Sequence, residues 1–212
     1  QPPRDRRQRQ MCIRDSQNAS QITNHEVDIG HFSISLNGKL IVFAALNEYE
    51  DSWTVEIPGK KEGKQYTWTK EPKVIKTLHW RYDGKGELKN GEHHLYLVSS
   101  NGGAAQKISG WGLDYVGDLS WMDESRVIFT GNNELNDMRT PWKQTNIFSL
   151  DLNSRVVETI SPKNGVYSKP VVSPDSLRIA FLGTESRDYS SVAFDLWIHS
   201  NNSARKITEG LS

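Results

Sequence analysis

The chain has 212 residues, and a few short clusters in it carry side chains able to do chemistry. Glu48, Glu50 and Asp51 fall in the acidic run Asn47-Glu48-Tyr49-Glu50-Asp51, which either captures the free amino group of a peptide or is a solvated loop. Arg81 and Tyr82 are the other candidates for substrate contact, with packing as the plainer reading. His93-His94 offers two imidazoles, but successive side chains on a strand point to opposite faces, so the pair is not expected to share one metal ion. Gly210-Leu211-Ser212 begins the Gly-x-Ser-x-Gly pattern that presents a nucleophilic serine, yet the pattern is nowhere completed. No catalytic residue, no metal site and no cofactor motif are therefore expected in this chain, which alone should hydrolyse nothing.

The elements that position these residues repeat. A polar residue, Ile, then Ser or Thr occurs as Gln21-Ile22-Thr23, Lys107-Ile108-Ser109, Thr159-Ile160-Ser161 and Lys206-Ile207-Thr208. The first three are followed by HFSISLNGKLIVF (from His31), GDLSWMDESRVIF (from Gly117) and KPVVSPDSLRIAF (from Lys169). The last three are preceded by HLYLVSS (from His94), NIFSLDL (from Asn146) and DLWIHSN (from Asp195). Four strand-like runs per unit, at a period of roughly 45–50 residues, are the signature of a β-propeller. Each unit turns at a Ser-Pro-Asp-Ser type corner (Ser173 to Ser176), where Pro fixes φ and Asp caps the backbone. Its second strand is apolar, as in Leu177 to Phe181, and suits burial between neighbouring blades. Phe43, Phe129 and Phe181 hold one place in it, while Tyr96, Phe148 and Trp197 supply an aromatic to the third strand.

The expected fold is all-β, a partial propeller of about three four-stranded blades plus the last strand of a preceding one, with TolB-like repeats. The blades are expected at about 31–109, 117–161 and 168–208, within an incomplete propeller over 17–212. The first holds an insertion at 46–92, including the hairpin-like VIKTLHWRYDGKGEL with its tight-turn signal Asp83-Gly84. Closed propellers have roughly four to eight blades, so three leave an open array whose end blades are exposed, and the chain alone is expected to aggregate or stay partly molten. No run is long enough to span a membrane, and equal numbers of basic and acidic residues, 26 each, give no nucleic-acid surface.

Residues 1–16, QPPRDRRQRQMCIRDS, stand apart. Met-Cys-Ile-Arg-Asp-Ser is what ATG TGT ATA AGA GAC AG plus one base encodes, a string resembling the transposon end used in sequencing libraries, so the stretch reads as translated adapter. The other reading is a disordered basic arm. Five of the 26 basic and two of the 26 acidic residues fall in it, as does the one cysteine, Cys12, which leaves 21 basic against 24 acidic and no cysteine. The compartment stays open, with cytoplasm favoured.

From Gln17 to Ser212 the chain resembles the propeller of the prolyl oligopeptidase family, in its acylaminoacyl-peptidase-like branch. The resemblance is carried by VIKTLHWRYDGKG followed by HHLYLV, then WGLDYVGDLSWMDESRVIFTG, then FLGTESRDY ahead of DLWI. Leu36-Asn37-Gly38 and Met122-Asp123-Glu124 depart from the Ser-Pro-Asp-Gly corner in the first two blades. The resemblance implies a two-domain serine peptidase acting on short peptides. Its other half is a C-terminal α/β-hydrolase domain with a Ser-His-Asp triad, and the propeller limits access to that site. A TolB-like propeller serving as a protein-binding module is the alternative.

Overall fold

A computed structural model describes residues 21–23, 29–49, 81–84, 86–87, 89, 91–110, 112–113, 115–132, 144–186 and 193–208. The adapter-like segment, Glu50, Asp51, residues 51–80 of the insertion and Gly210-Leu211-Ser212 lie outside these described residues.

Every element among the described residues is a strand. Blade I is built from β1 (Ile29–Ile34), β2 (Leu40–Glu48), β5 (Gly91–Ser99) and β6 (Gln106–Lys107). A separate hairpin, β3 (Arg81–Tyr82) and β4 (Gly86–Glu87), stands between β2 and β5 in the chain. Blade II comprises β7 (Tyr115–Trp121), β8 (Arg126–Asn132), β9 (Asn146–Asp151) and β10 (Val157–Thr159). Blade III comprises β11 (Val166–Val172), β12 (Ile179–Thr184), β13 (Asp195–Ser200) and β14 (Ser203–Lys206). In each blade the strands lie side by side in chain order, all antiparallel, so the chain is all-β with the architecture of a partial propeller.

The aromatic positions of the repeat are direct cross-strand partners: Phe43 opposite Tyr96, Phe129 opposite Phe148 and Phe181 opposite Trp197. Their rings stack with centroids 5.4, 5.4 and 6.3 Å apart, one pair per blade. Such pairs contribute about 0.5–1.5 kcal/mol beyond the area they bury. The core lies between blades. Val42, Ala44 and Leu95 of blade I pack with Trp121, Val127, Phe129 and Phe148 of blade II. Ile128 and Ile147, on the opposite face of blade II, pack with Tyr167, Phe181 and Trp197 of blade III. Strand β8 is thus buried on both faces, which explains why VIF reads as an unbroken apolar run.

The corner Ser173-Pro174-Asp175-Ser176 forms as its sequence requires. Asp175 Oδ1 accepts from the Leu177 amide at 3.0 Å, and Ser173 Oγ accepts from the Arg178 amide at 3.0 Å. Leu177 and Arg178 are consumed by this corner, so the strand begins at Ile179 and Leu177 is 71% exposed, against the expected start at Leu177. The Asp175 carboxyl is drawn down to about 2 by the Ser173 hydroxyl, the Leu177 amide and Arg178. Corners of successive blades are tied together. Asn37 donates its amide to Glu124 Oε1 at 3.1 Å, and the Ser176 hydroxyl donates to the Met122 carbonyl at 2.6 Å. The first strand of every blade also carries one extra residue, between Ile29 and Phe32 opposite Ala44, between Val116 and Leu119 opposite Thr130, and, shifted by one position, between Ser168 and Val171 opposite Phe181.

Candidate functional site

The polar-Ile-Ser/Thr phrase closes the outer edge of each blade. Its Ile donates a backbone N–H to the third strand: Ile108 to Leu95, Ile160 to Ile147 and Ile207 to Leu196, each at 2.8 Å. One residue later the chain leaves the sheet, and the hydroxyl takes over as acceptor. The amides of Leu95, Ile147 and Leu196 donate to Ser109 Oγ, Ser161 Oγ and Thr208 Oγ1, each at 3.1 Å. The hydroxyl in turn meets the residue just before that amide in the third strand: His94 Nδ1 at 3.0 Å, Asn146 Oδ1 at 3.2 Å and Asp195 Oδ1 at 2.9 Å.

In blade I this clamp has the membership of a nucleophilic triad. Ser109 meets His94, whose Nε2 lies 3.5 Å from Glu92 Oε2 and 3.2 Å from Lys107 Nζ. Its surroundings rule out nucleophilic work. Ser109 is 4% exposed and its oxygen is occupied by the Leu95 amide, so no carbonyl can approach it. The same two positions hold Asn146 with Ser161 in blade II and Asp195 with Thr208 in blade III, which do the closing without a histidine. His94 therefore serves the blade. His93 uses its backbone, exchanging hydrogen bonds with Leu113 at 2.7 and 2.9 Å. Among the described residues no cluster of three or more His, Cys, Asp or Glu is placed to hold a metal ion.

Of the candidate substrate-contacting residues, Glu48 sits at the root of the insertion. Strands β2 and β5 run nine residues each, against six or seven for their counterparts in blades II and III, and this length carries Glu48 beyond the blade body. Glu48 is directly opposite Gly91 and its carboxylate pairs with Lys89. Gly91 is required there, because a Cβ would lie 2.3 Å from the Asn47 carbonyl oxygen. Beside it the Tyr49 hydroxyl donates to Glu92, which pushes the phenol up to about 12, with burial and the carboxylate charge adding to the shift. Asn47 Oδ1 accepts from the Tyr96 hydroxyl at 2.9 Å. The root of the insertion thus holds two carboxylates, Glu48 and Glu92, already partnered by Lys89, Tyr49 and His94.

Arg81 lies opposite Glu87 on β3–β4, where the Asp83-Gly84 turn puts Gly84 at φ 79°. No hydrogen bond or ion pair joins Arg81 to Glu48. Glu50 lies outside the described residues. Sequence reasoning did not single out Lys89, Tyr49 and Glu92. Only the pairing of β2 with β5 across the insertion brings them to Glu48.

No protein-family model matches the chain, and no curated protein does. Solved structures do. Acylaminoacyl peptidase from Pyrococcus horikoshii superposes with a TM-score of 0.59 at 11% identity, over 91% of this chain and 27% of that one. A second acylaminoacyl peptidase, in complex with Z-Gly-Gly-Phe-chloromethyl ketone, gives 0.59 at 11% identity over 92% and 27%. TolB from Acinetobacter baumannii gives 0.49 at 14% identity over 82% and 30%. The chain shares with the two acylaminoacyl peptidases the fold of a propeller segment. The chain spans less than a third of the length of each of these three proteins.

Proposed function

We propose that this chain is the propeller portion of a serine peptidase that hydrolyses short peptides, with the propeller limiting access to an α/β-hydrolase domain. The reading is carried by the insertion between β2 and β5, the most specific phrase of the resemblance to the acylaminoacyl-peptidase-like branch. The likeness in fold to two acylaminoacyl peptidases agrees with it. Within this reading the acidic run with Glu48 and Glu50 receives the free amino end of a peptide, and Arg81 contacts the tunnel or the hydrolase domain. The bond-breaking groups are then that domain's serine, histidine and aspartate, with backbone amides holding the oxyanion.

The test is a long read through both ends of this reading frame in the source DNA, followed by expression of the whole frame. The expected result is a downstream domain of roughly 250 residues bearing Gly-x-Ser-x-Gly, and hydrolysis of aminoacyl or acylaminoacyl p-nitroanilides that is lost when its serine becomes alanine. A frame that continues only into further blades and then stops overturns the reading in favour of a binding module.

A further inference from the structure

The residue before each clamped amide receives more than the hydroxyl. In blade III Asp195 is met twice, by the Thr208 hydroxyl at Oδ1 and by Lys206 Nζ at Oδ2, 2.7 Å away. A carboxylate accepts at both oxygens, and the two donors, Lys206 before Thr208, hold the Asp195 carboxyl below its ordinary range. In blade II Thr159 takes the place of the lysine, and Asn146 Oδ1 meets the Ser161 hydroxyl. Blade I keeps the lysine. Lys107 Nζ stands 3.2 Å from His94 Nε2, while Ser109 Oγ stands 3.0 Å from Nδ1. A neutral imidazole accepts at one nitrogen only, so His94 cannot serve two donors as Asp195 does.

A carboxylate faces the same nitrogen. Glu92 Oε2 lies 3.5 Å from His94 Nε2, and Glu92 Oε1 accepts from the Tyr49 hydroxyl at the root of the insertion. The carboxylate has room because residue 112 is glycine, where a Cβ would run into it. His94 is 5% exposed, and among the described residues the charged groups at its ring are Glu92 on its own strand and Lys107 on β6. Opposite it on β2 stands Ala45, which carries no charge, and Tyr49 reaches it only through Glu92. Ammonium and carboxylate ask opposite things of Nε2, the first needing it bare and the second needing it protonated. The lysine is the nearer of the two. The neutral ring then carries its proton on Nδ1 and donates it to Ser109 Oγ, which goes on accepting from the Leu95 amide.

We propose that His94 is a proton-operated switch: neutral, it accepts from Lys107 at Nε2, and on taking a proton there it turns Lys107 away and binds Glu92. The proton comes from solvent and lands on Nε2, the ring becomes an imidazolium, and no other covalent bond changes. Nδ1–H stays on Ser109 throughout, so the clamp of blade I holds in both states. What changes is Glu92. Fixed at Oε2 by the imidazolium, it holds Tyr49 more firmly at Oε1, so acid stiffens the root of the insertion and base loosens it. The switch rests on contacts within blade I and is independent of the peptidase reading.

The test uses the protein of the whole reading frame, labelled with 13C,15N-histidine, and follows the imidazole nitrogens by NMR from about pH 8 to about pH 5, where histidine changes charge. His94→Asn, which puts the blade II residue into blade I, identifies the His94 signals. The expected wild-type ring is the Nδ1–H tautomer at the alkaline end and the imidazolium at the acid end. Lys107→Thr, again the blade II residue, moves the neutral ring to the Nε2–H tautomer, which then donates to Glu92. Glu92→Gln makes protonation require a lower pH. Amide hydrogen exchange over residues 46–49, corrected for its intrinsic pH dependence, slows roughly threefold on acidification in the wild type and not in H94N. A wild-type ring that is Nε2–H when neutral, or that stays neutral throughout, overturns the proposal. So does exchange at 46–49 that responds to pH equally in wild type and H94N, which would leave His94 a structural residue only.

Discussion

Ser161→Ala isolates the clamp that closes blade II. The Ser161 hydroxyl oxygen accepts from the Ile147 amide at 3.1 Å and lies 3.2 Å from Asn146 Oδ1. Ile147 is fully buried, Ser161 is 7% exposed and Asn146 9%, so water cannot take over the bond. Removing the oxygen strands a buried N–H, which costs about 1–3 kcal/mol. Loss of the Asn146 contact places S161A near the middle of that range or above, about 2–3 kcal/mol. Thr208→Ala removes the same bond in blade III, where the Leu196 side is open to solvent, and should cost about 0.5–1 kcal/mol because water replaces the hydroxyl. Urea denaturation at pH 7 measures both, and for a chain of this size S161A lowers the melting temperature by roughly 4–12 °C. The m-value should not change, since the surface exposed on unfolding is the same. Equal costs for S161A and T208A, or a cost below about 0.5 kcal/mol for S161A, would refute the idea that a hydroxyl substitutes for the missing strand carbonyl.

Three other outcomes are expected. Gly91→Ala drives a methyl into the Asn47 carbonyl and should cost about 2 kcal/mol or more, with the loss read by urea melts. Asn201 and Asn202 both sit in the left-handed region, at φ 50° and 60°, in the two-residue turn between β13 and β14, so Asn202→Ala should cost about 1 kcal/mol and Asn202→Gly should not, by the same melts. His199 is held below its ordinary 6.5 by burial, so the unfolded chain takes up its proton first as pH falls. Its contribution to stability is complete above pH 6.5 and declines below it, and His199→Gln should flatten the difference between melts at pH 7.5 and pH 5.5.

Much of this fold was legible because a propeller repeats its physics. The phrases that open at His94, Asn146 and Asp195, and those that end at Ser109, Ser161 and Thr208, are the two halves of one clamp, and both could be seen as recurring boundaries before any pairing was known. The aromatic positions were legible for the same reason, since a cross-strand stack needs an aromatic at one fixed place on each of two strands. The bulges were not. HFSISL shows no surplus residue, and only its register against β2 reveals that three residues of β1 span two of β2. The root of the insertion was only half legible. Acidic residues mark the start of the insertion, but their partners Lys89 and Glu92 lie some forty residues on in the chain, and composition says nothing about such pairings.

The Ser109-His94-Glu92 cluster shows what separates a catalytic constellation from a structural one. Distances alone do not: 3.0 Å from hydroxyl to imidazole is what a nucleophile and its base require. What decides is the work the hydroxyl already does. A nucleophilic oxygen must be free on one side, whereas Ser109 Oγ accepts from a buried amide that has no other acceptor once the outer strand has ended. The internal repeat supplies the control, because Asn146 and Asp195 fill the histidine's position and keep the amide bond at the same 3.1 Å. Imidazole, amide and carboxylate share only the ability to meet a hydroxyl beside the third strand's amide. That shared requirement accounts for a polar residue at this position in every blade, and it leaves nothing at the cluster for a reaction to explain.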